Sequence, residues 1–310
     1  MTRRRAHSER TAELSLCVYG ECKRSIPSLC NGSTDSGRTL SLSSRRPRQY
    51  RSPFLNPRGF LDMLQPATAT PAAPFLTTAR RTFTDDENAT WGEVVRTQRP
   101  RRMEQLVPMF SKGLAALDMD RDTVPALEDV NAKLVALTGW RGEYVKGLED
   151  GRGFYSLLRD RKFPIGNFVR DRKDLNYTPE PDIIHDLYGH IPFHADQTYA
   201  DALHRYGEFA CKFLDDPERL RRLERFFWFT YEFGLVETKA GRRIFGAGIA
   251  SSIGECVYAL SGEPEVVPFD VETICAQEFR IDQMQKRLFV MPSIDALYES
   301  WPKLMAVVAR

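Results

Sequence analysis

Five histidines occur in this 310-residue chain, and three of them, His185, His190 and His194, fall within one ten-residue stretch. A neutral imidazole nitrogen is a good ligand for ferrous iron or zinc. Zinc proteases of the HExxH type place two histidines four apart, on one helical face. Here His185 and His190 are five apart, which on an unbroken α-helix turns the second about 140° from the first. The two rings converge only if the helix ends between them. Gly189 is expected to supply that stop, because glycine enters positive φ at little cost. The plain alternative is a pair of ordinary core or surface histidines.

A metal would need a third ligand. The segment LRRLERFFWFTYEF (Leu220–Phe233) carries a carboxylate, Glu232, between Tyr231 and Phe233. A carboxylate in such surroundings is costly unless it is paired or metal-bound. Trp228 lies four residues before Glu232, and Pro181 four before His185, so each shares a helical face with its partner. A metal held by His185, His190 and Glu232 would therefore have an indole and a proline ring beside it. Two imidazoles and one carboxylate leave half an octahedron open, the arrangement used with Fe(II) and dioxygen. Flat apolar walls suit an aromatic substrate, although some of this aromatic run must be plain core.

The elements that position these residues read as mostly helical (α+β): a single helical domain with a small β-sheet. Thr84 as N-cap, with Glu87 at the capping-box position, opens a helix over 85–97. Further helices are expected over 103–117 and 124–137, the latter closed by Gly139. A short strand is expected over 144–148 and a helix over 153–159. Helices over 181–188, 198–214, 217–233, 252–259 and 271–277 follow, with a strand or hairpin over 279–290. Neither strand–helix alternation nor a glycine-rich phosphate loop is present, which excludes the doubly wound nucleotide-binding folds.

Composition narrows the class. Hydrophobic residues make up 42% and charged residues 28%, which excludes a chain disordered throughout. The absence of a run of about 18 apolar residues argues against a bilayer-spanning helix. Lys+Arg 44 against Asp+Glu 42 argues against a dedicated nucleic-acid binder. Residues 1–62 hold 12 basic and 5 acidic side chains, leaving 32 basic and 37 acidic in 63–310. The basic excess thus belongs to the start of the chain, where residues 1–75 read as a disordered leader rich in Arg, Ser and Pro. The leader resembles an organellar transit peptide; an upstream start codon, with Met63 as the true start, is the preferred reading. Cys211, Cys256 and Cys275 lie in apolar helix-like sequence, as small buried thiols of a cytoplasmic protein do.

Three strings carry a specific resemblance: TPEPDIIHDLYGH (Thr178–His190), WFTYEFGL (Trp228–Leu235) and FGAGIASSIGE (Phe245–Glu255). With weaker similarity over nearly all of 83–300, the chain resembles the tetrahydropterin-dependent aromatic amino acid hydroxylases, most of all their bacterial phenylalanine-hydroxylating members. The resemblance implies a catalytic domain over 76–310 that uses Fe(II), a tetrahydropterin and O₂ to convert L-phenylalanine to L-tyrosine. It implies iron ligation by His185, His190 and Glu232. It places the substrate ring between Pro181, His185 and Trp228, and the substrate carboxylate on Arg170 with Thr178 and Ser251. The pterin is expected on Phe154, near Gly147 and Leu148, with Asp186 reaching it through water. Asp182, Ser252 and Glu255 are expected to orient the ligands.

Departures from the family pattern refine the expectation. Asp186 stands where animal members carry Glu, and Glu149 where they are apolar. Ile281 replaces the Asp of tyrosine-specific members, and Trp228 the Phe usual in tryptophan-specific ones, so phenylalanine is favoured. Hydroxylation of tryptophan, or of phenylalanine at the meta carbon, is the alternative. A zinc hydrolase and a non-catalytic binder using the basic leader are more distant rivals. No counterpart of the animal regulatory domain or tetramerisation helix is seen, so a monomer is expected, with no nucleic-acid or membrane partner.

Overall fold

Thr84 caps the first helix of the described residues, as the sequence suggests. Its hydroxyl accepts from the Glu87 N–H (3.2 Å), and the Glu87 carboxylate accepts from the Thr84 N–H (2.8 Å). The computed structural model describes residues 81–145, 150–175, 181–281 and 283–310. The proposed leader and the candidate residues Gly147, Leu148, Glu149 and Thr178 lie outside them.

The first half of the fold is α1 (Asp85–Gln105), α2 (Pro108–Ala116), α3 (Leu127–Thr138), β1 (Arg141–Tyr144), α4 (Gly151–Arg159), β2 (Lys162–Ile165) and α5 (Gln197–Ala210). The second half is α6 (Pro217–Phe227), β3 (Leu235–Thr238), β4 (Gly241–Ile244), α7 (Ala247–Ala250), α8 (Ile253–Ser261), β5 (Glu265–Pro268), α9 (Val271–Ala276), β6 (Arg287–Met291), α10 (Ile294–Glu299) and α11 (Trp301–Ala309). The α+β reading holds, with helices dominant and two small sheets.

Helix α1 runs eight residues past its expected end, through Pro100. A mid-helix proline removes one hydrogen bond, but tertiary contacts secure the segment. Arg99 and Arg102 pair with Asp120, and Gln98 Nε2 donates to the Ala250 carbonyl at 3.3 Å. Helix α3 ends on Gly139 at φ 76°, as expected. The strand expected over 144–148 lies earlier, at β1, and pairs in parallel with β2, an element the sequence reading omitted. The second sheet has the order β4-β3-β6-β5, with β3–β4 antiparallel and the other two pairs parallel. Among the described residues of the span 279–290, β6 is the extended element.

The two segments that bear the candidate ligands are neither regular α-helix nor broken helix. Ile184–His190 and Trp228–Glu232 are π-helical. A π turn hydrogen-bonds i→i+5, and such turns concentrate at functional sites. The wider winding brings residues five apart toward one face, so His185 and His190 converge without a stop between them. Gly189 is therefore not the positive-φ terminator expected, and it is absent from the residues with positive φ. Its role is close approach: a Cβ there would sit 2.7 Å from the Ala247 carbonyl oxygen and 2.9 Å from Ser251 Cβ.

The core surrounds these turns. Tyr188, fully buried within the first π turn, meets Trp91 of α1 edge-on at 5.8 Å and Phe110 of α2 at 5.4 Å. Phe226, Phe229 and Tyr231 bury the second turn. No helix among the described residues is long and apolar enough to cross a membrane. Because Gly189 has no room for a methyl group, Gly189→Ala is expected to destabilise the fold by roughly 1–3 kcal/mol. Urea unfolding would read this as a lower midpoint at unchanged slope.

Candidate active site

Three donor atoms converge where the two π turns face each other. His185 Nε2 and His190 Nε2 are 3.3 Å apart. Glu232 places Oε1 3.0 Å from His190 Nε2 and Oε2 3.7 Å from His185 Nε2. Among the described residues this is the one group of His, Cys, Asp or Glu side chains that draws three ligand atoms within 4.8 Å of one another. The alternative of unrelated core histidines is thereby set aside.

The neighbours fix which nitrogen faces inward. Ser251 Oγ donates to the Gly248 carbonyl (3.0 Å) and lies 3.2 Å from His185 Nδ1. With its proton committed, the hydroxyl accepts from Nδ1–H, which leaves the His185 Nε2 lone pair facing the other two donors. Burial pushes the His185 pKa down to about 4, with His190 and Arg170 adding to the effect against Glu232 and Asp182. The ring is therefore neutral at pH 7. Burial alone would raise the Glu232 carboxyl, yet His190, His185 and the Gly248 N–H outweigh it and hold its pKa below the usual value.

His190 is 1% exposed and stacks on Phe163 of β2 at 4.4 Å and 28°. The third clustered histidine, His194, does not join the donors. Its Nδ1–H donates to the His190 carbonyl at 2.9 Å, and burial pushes its pKa to about 3.

The donor set fits a metal ion. Two imidazole nitrogens and a carboxylate oxygen face each other across 3.0–3.7 Å. Ligands about 2.1 Å from one ion, at right angles, stand about 3 Å apart. Two histidines and one carboxylate are the donor set of non-haem Fe(II) sites.

Beside the donors lies a buried ion pair. Arg170 is 5% exposed and Asp182 0%. Arg170 Nε donates to Asp182 Oδ2 (3.0 Å) and Nη2 to Oδ1 (2.6 Å). Asp182 also accepts from the main-chain N–H of Arg170 and of His185, both at 2.9 Å. The sequence string around Arg170 offered only a solvated charge, whereas the structure buries the guanidinium against Asp182.

The remaining expected residues take varied places. Pro181 immediately precedes Asp182 and is half-buried. Ser251, expected at a substrate carboxylate, bonds the His185 ring. Asp186 is buried, and its Oδ2 accepts from the Gly166 N–H at 2.7 Å; burial raises its pKa well above the carboxylate range. Half-buried Phe154 meets Phe163 and Phe227 edge-on, at 6.1 and 5.2 Å. Ser252 caps α8 by accepting from the Glu255 N–H. Phe163, the Gly248 N–H and Phe279, which stacks on Trp228 at 4.4 Å, were missed. Only Gly248 carried a signal, its place in the FGAGIASSIGE string.

With this geometry in view, comparison with known proteins is specific. Residues 77–310 match the family described as biopterin-dependent aromatic amino acid hydroxylase. A phenylalanine-4-hydroxylase of Caulobacter vibrioides is 39% identical over 219 residues, covering 70% of this chain and 74% of that protein. A crystal structure of Chromobacterium violaceum phenylalanine hydroxylase with bound iron(III) and 7,8-dihydrobiopterin superposes with a TM-score of 0.69. It is 37% identical and covers 73% of this chain and 83% of that chain. The iron- and phenylalanine-bound form of the same enzyme gives a TM-score of 0.66 at 35% identity, over 73% of this chain and 84% of that one. The chain belongs to the biopterin-dependent aromatic amino acid hydroxylases.

Glu255 generates a prediction of its own. It is 3% exposed, and burial raises its carboxyl from 4.5 to about 7. Between those values the unfolded chain has released a proton that the folded chain keeps, so stability falls as pH rises from about 4.5 to 7. Glu255→Gln in metal-free protein is expected to raise the melting temperature at pH 8 and to have little effect at pH 4. The gain is a few kcal/mol at most, roughly 1.4 per pKa unit. Equal shifts at both pH values would contradict it.

Proposed function

We propose that this chain hydroxylates L-phenylalanine to L-tyrosine with Fe(II), a tetrahydropterin and O₂. The observation that carries the reading is the convergence of His185, His190 and Glu232 beside a buried guanidinium and an aromatic wall. Relatives named phenylalanine-4-hydroxylase, and solved relatives holding iron, dihydrobiopterin or phenylalanine, support it.

Iron and the reduced pterin, when bound, supply the oxygen activation that no protein side chain provides. The chain's own residues hold, orient and exclude water. His185 and His190 offer ring nitrogens and Glu232 one negative charge, with Ser251 fixing the direction of His185 and the Gly248 N–H that of Glu232. Arg170, with Nε and Nη2 on Asp182, has further N–H donors for the substrate carboxylate. Thr178 is assigned to the same group. Pro181 and Trp228 flank the substrate ring. Phe154 carries the pterin, near Gly147 and Leu148, and Asp186 orders that side of the pocket. Asp182, Ser252 and Glu255 support the ligands from outside. No side chain acts as a strong general base, so the protein's share is placement of the ring.

The catalytic unit is assigned to 76–310, acting as a cytoplasmic monomer on small molecules, with residues 1–75 as a disordered basic leader. Neither nucleic acid nor membrane is a proposed partner.

Purified protein with Fe(II), a tetrahydropterin and each aromatic amino acid is expected to give tyrosine from phenylalanine as the main product. Chromatography showing no hydroxylated amino acid from any of them would reject the reading; hydroxytryptophan or meta-tyrosine as main product would change the substrate or ring position. His185→Ala and Glu232→Ala are expected to lose iron and turnover together. Arg170→Lys keeps the charge but not the planar fork, and is expected to raise the phenylalanine KM by roughly 10–100-fold with iron content unchanged.

A further inference from the structure

Among the described residues Trp228 has two ring contacts. Phe233 lies 4.6 Å from the indole, centroid to centroid, at 34°, and Phe279 lies 4.4 Å away at 16°. The indole Nε1 is buried and has no hydrogen-bond partner among the described residues. An indole normally uses that N–H as its polar handle when buried; here it does not fix the ring.

The two contacts differ in origin. Phe233 follows Glu232 directly, so it moves with the ligand segment. Phe279 comes from the loop between α9 and β6 and is half-buried. That loop is tied down on both sides of the ring. Arg225 of α6 pairs with Glu278 and donates to the Cys275 carbonyl at 3.1 Å. Gln285 Nε2 donates to the Arg280 carbonyl at 2.6 Å. Phe279 also lines, with Phe229, an open cleft of about 390 Å³ that Trp228 does not reach. It thus partitions the indole from the cleft. Ile281, two residues on, is 57% exposed, so the side chain of this loop that stacks on Trp228 is Phe279.

We infer that Phe279 is a positioning residue for the aromatic substrate, setting through the face of Trp228 where the substrate ring comes to rest. The inference rests on the phenylalanine-hydroxylase reading above. A stacked partner restrains the tilt of an indole, and a ring pair of this kind is worth a few-fold to about tenfold in an equilibrium constant. Without Phe279 the indole keeps one tilted ring neighbour, Phe233, and gains an open cleft to swing into. The substrate ring loses a fixed wall while the ligands, Arg170 and the pterin side keep theirs.

The test uses iron(II)-loaded full-length protein and the variants Phe279→Ala, Phe279→Leu and Phe279→Tyr. In the Ala and Leu variants the phenylalanine KM, and its dissociation constant by calorimetry, are expected to rise roughly three- to tenfold. Iron content, pterin KM and kcat are expected to stay within about twofold, and the kcat/KM ratio of tryptophan to phenylalanine to rise. Phe279→Tyr keeps a flat ring and is expected to behave as wild type. In a Trp228→Leu background, Phe279→Leu is expected to add no further cost, because the partner it acts through is gone. The Leu variant retains bulk, so it reports on the stack even if the Ala variant fails to fold.

Unchanged phenylalanine affinity in the Leu variant would overturn the inference. So would a parallel rise of the pterin KM, or full additivity in the Trp228→Leu background. Failure of the underlying reading shows separately, as wild-type protein that does not turn over phenylalanine.

Discussion

Everything in this molecule is subordinate to one electrostatic requirement: three electron-rich atoms are held face to face at a largely buried site. Two imidazole nitrogens and a carboxylate stand at separations of 3.0–3.7 Å. Burial keeps His185 neutral, and Ser251 takes its Nδ1–H on the outer side. The Glu232 carboxylate is thereby set among nitrogen donors, a combination matched to a divalent cation.

The scaffold meets that requirement with two π turns braced by a four-residue helix. Helix α7 and the residue after it touch both turns: the Ser251 hydroxyl reaches the first ligand, and the Gly248 N–H reaches the carboxylate ligand. The glycine and alanine positions of α7 let backbones approach to distances that side chains forbid, and Gly189 answers them from the other side. Ligand separation is thus set mainly by backbone contact, which is stiffer than side-chain packing. The aromatic shell then fixes the planes of the rings, as Phe163 does for His190.

Much of this was legible in the residues. The scarcity of histidine, the five-residue spacing and the lone carboxylate in an aromatic run pointed to the donors. Thr84, Glu87 and Gly139 announced their caps through local chemistry. What stayed hidden was non-local. The π winding reconciles the five-residue spacing with convergence, and it depends on packing against α7 rather than on any residue preference. Strand β2, the sequence KFPI, is too short to show a period, and its partner lies across a helix. Arg170 read as a surface charge because its counter-ion is 12 residues away. Phe279 looked like the start of a strand because its stacking partner lies in another helix.

Asp182 has a mechanical consequence. Its two oxygens accept four hydrogen bonds, three from Arg170 and one from the main chain at His185. With no exposed surface, the carboxylate has little slack. It behaves as a rigid crank, joining the Arg170 guanidinium to the main chain at the base of the first imidazole. A displacement of the one is therefore passed to the other without any loop having to move.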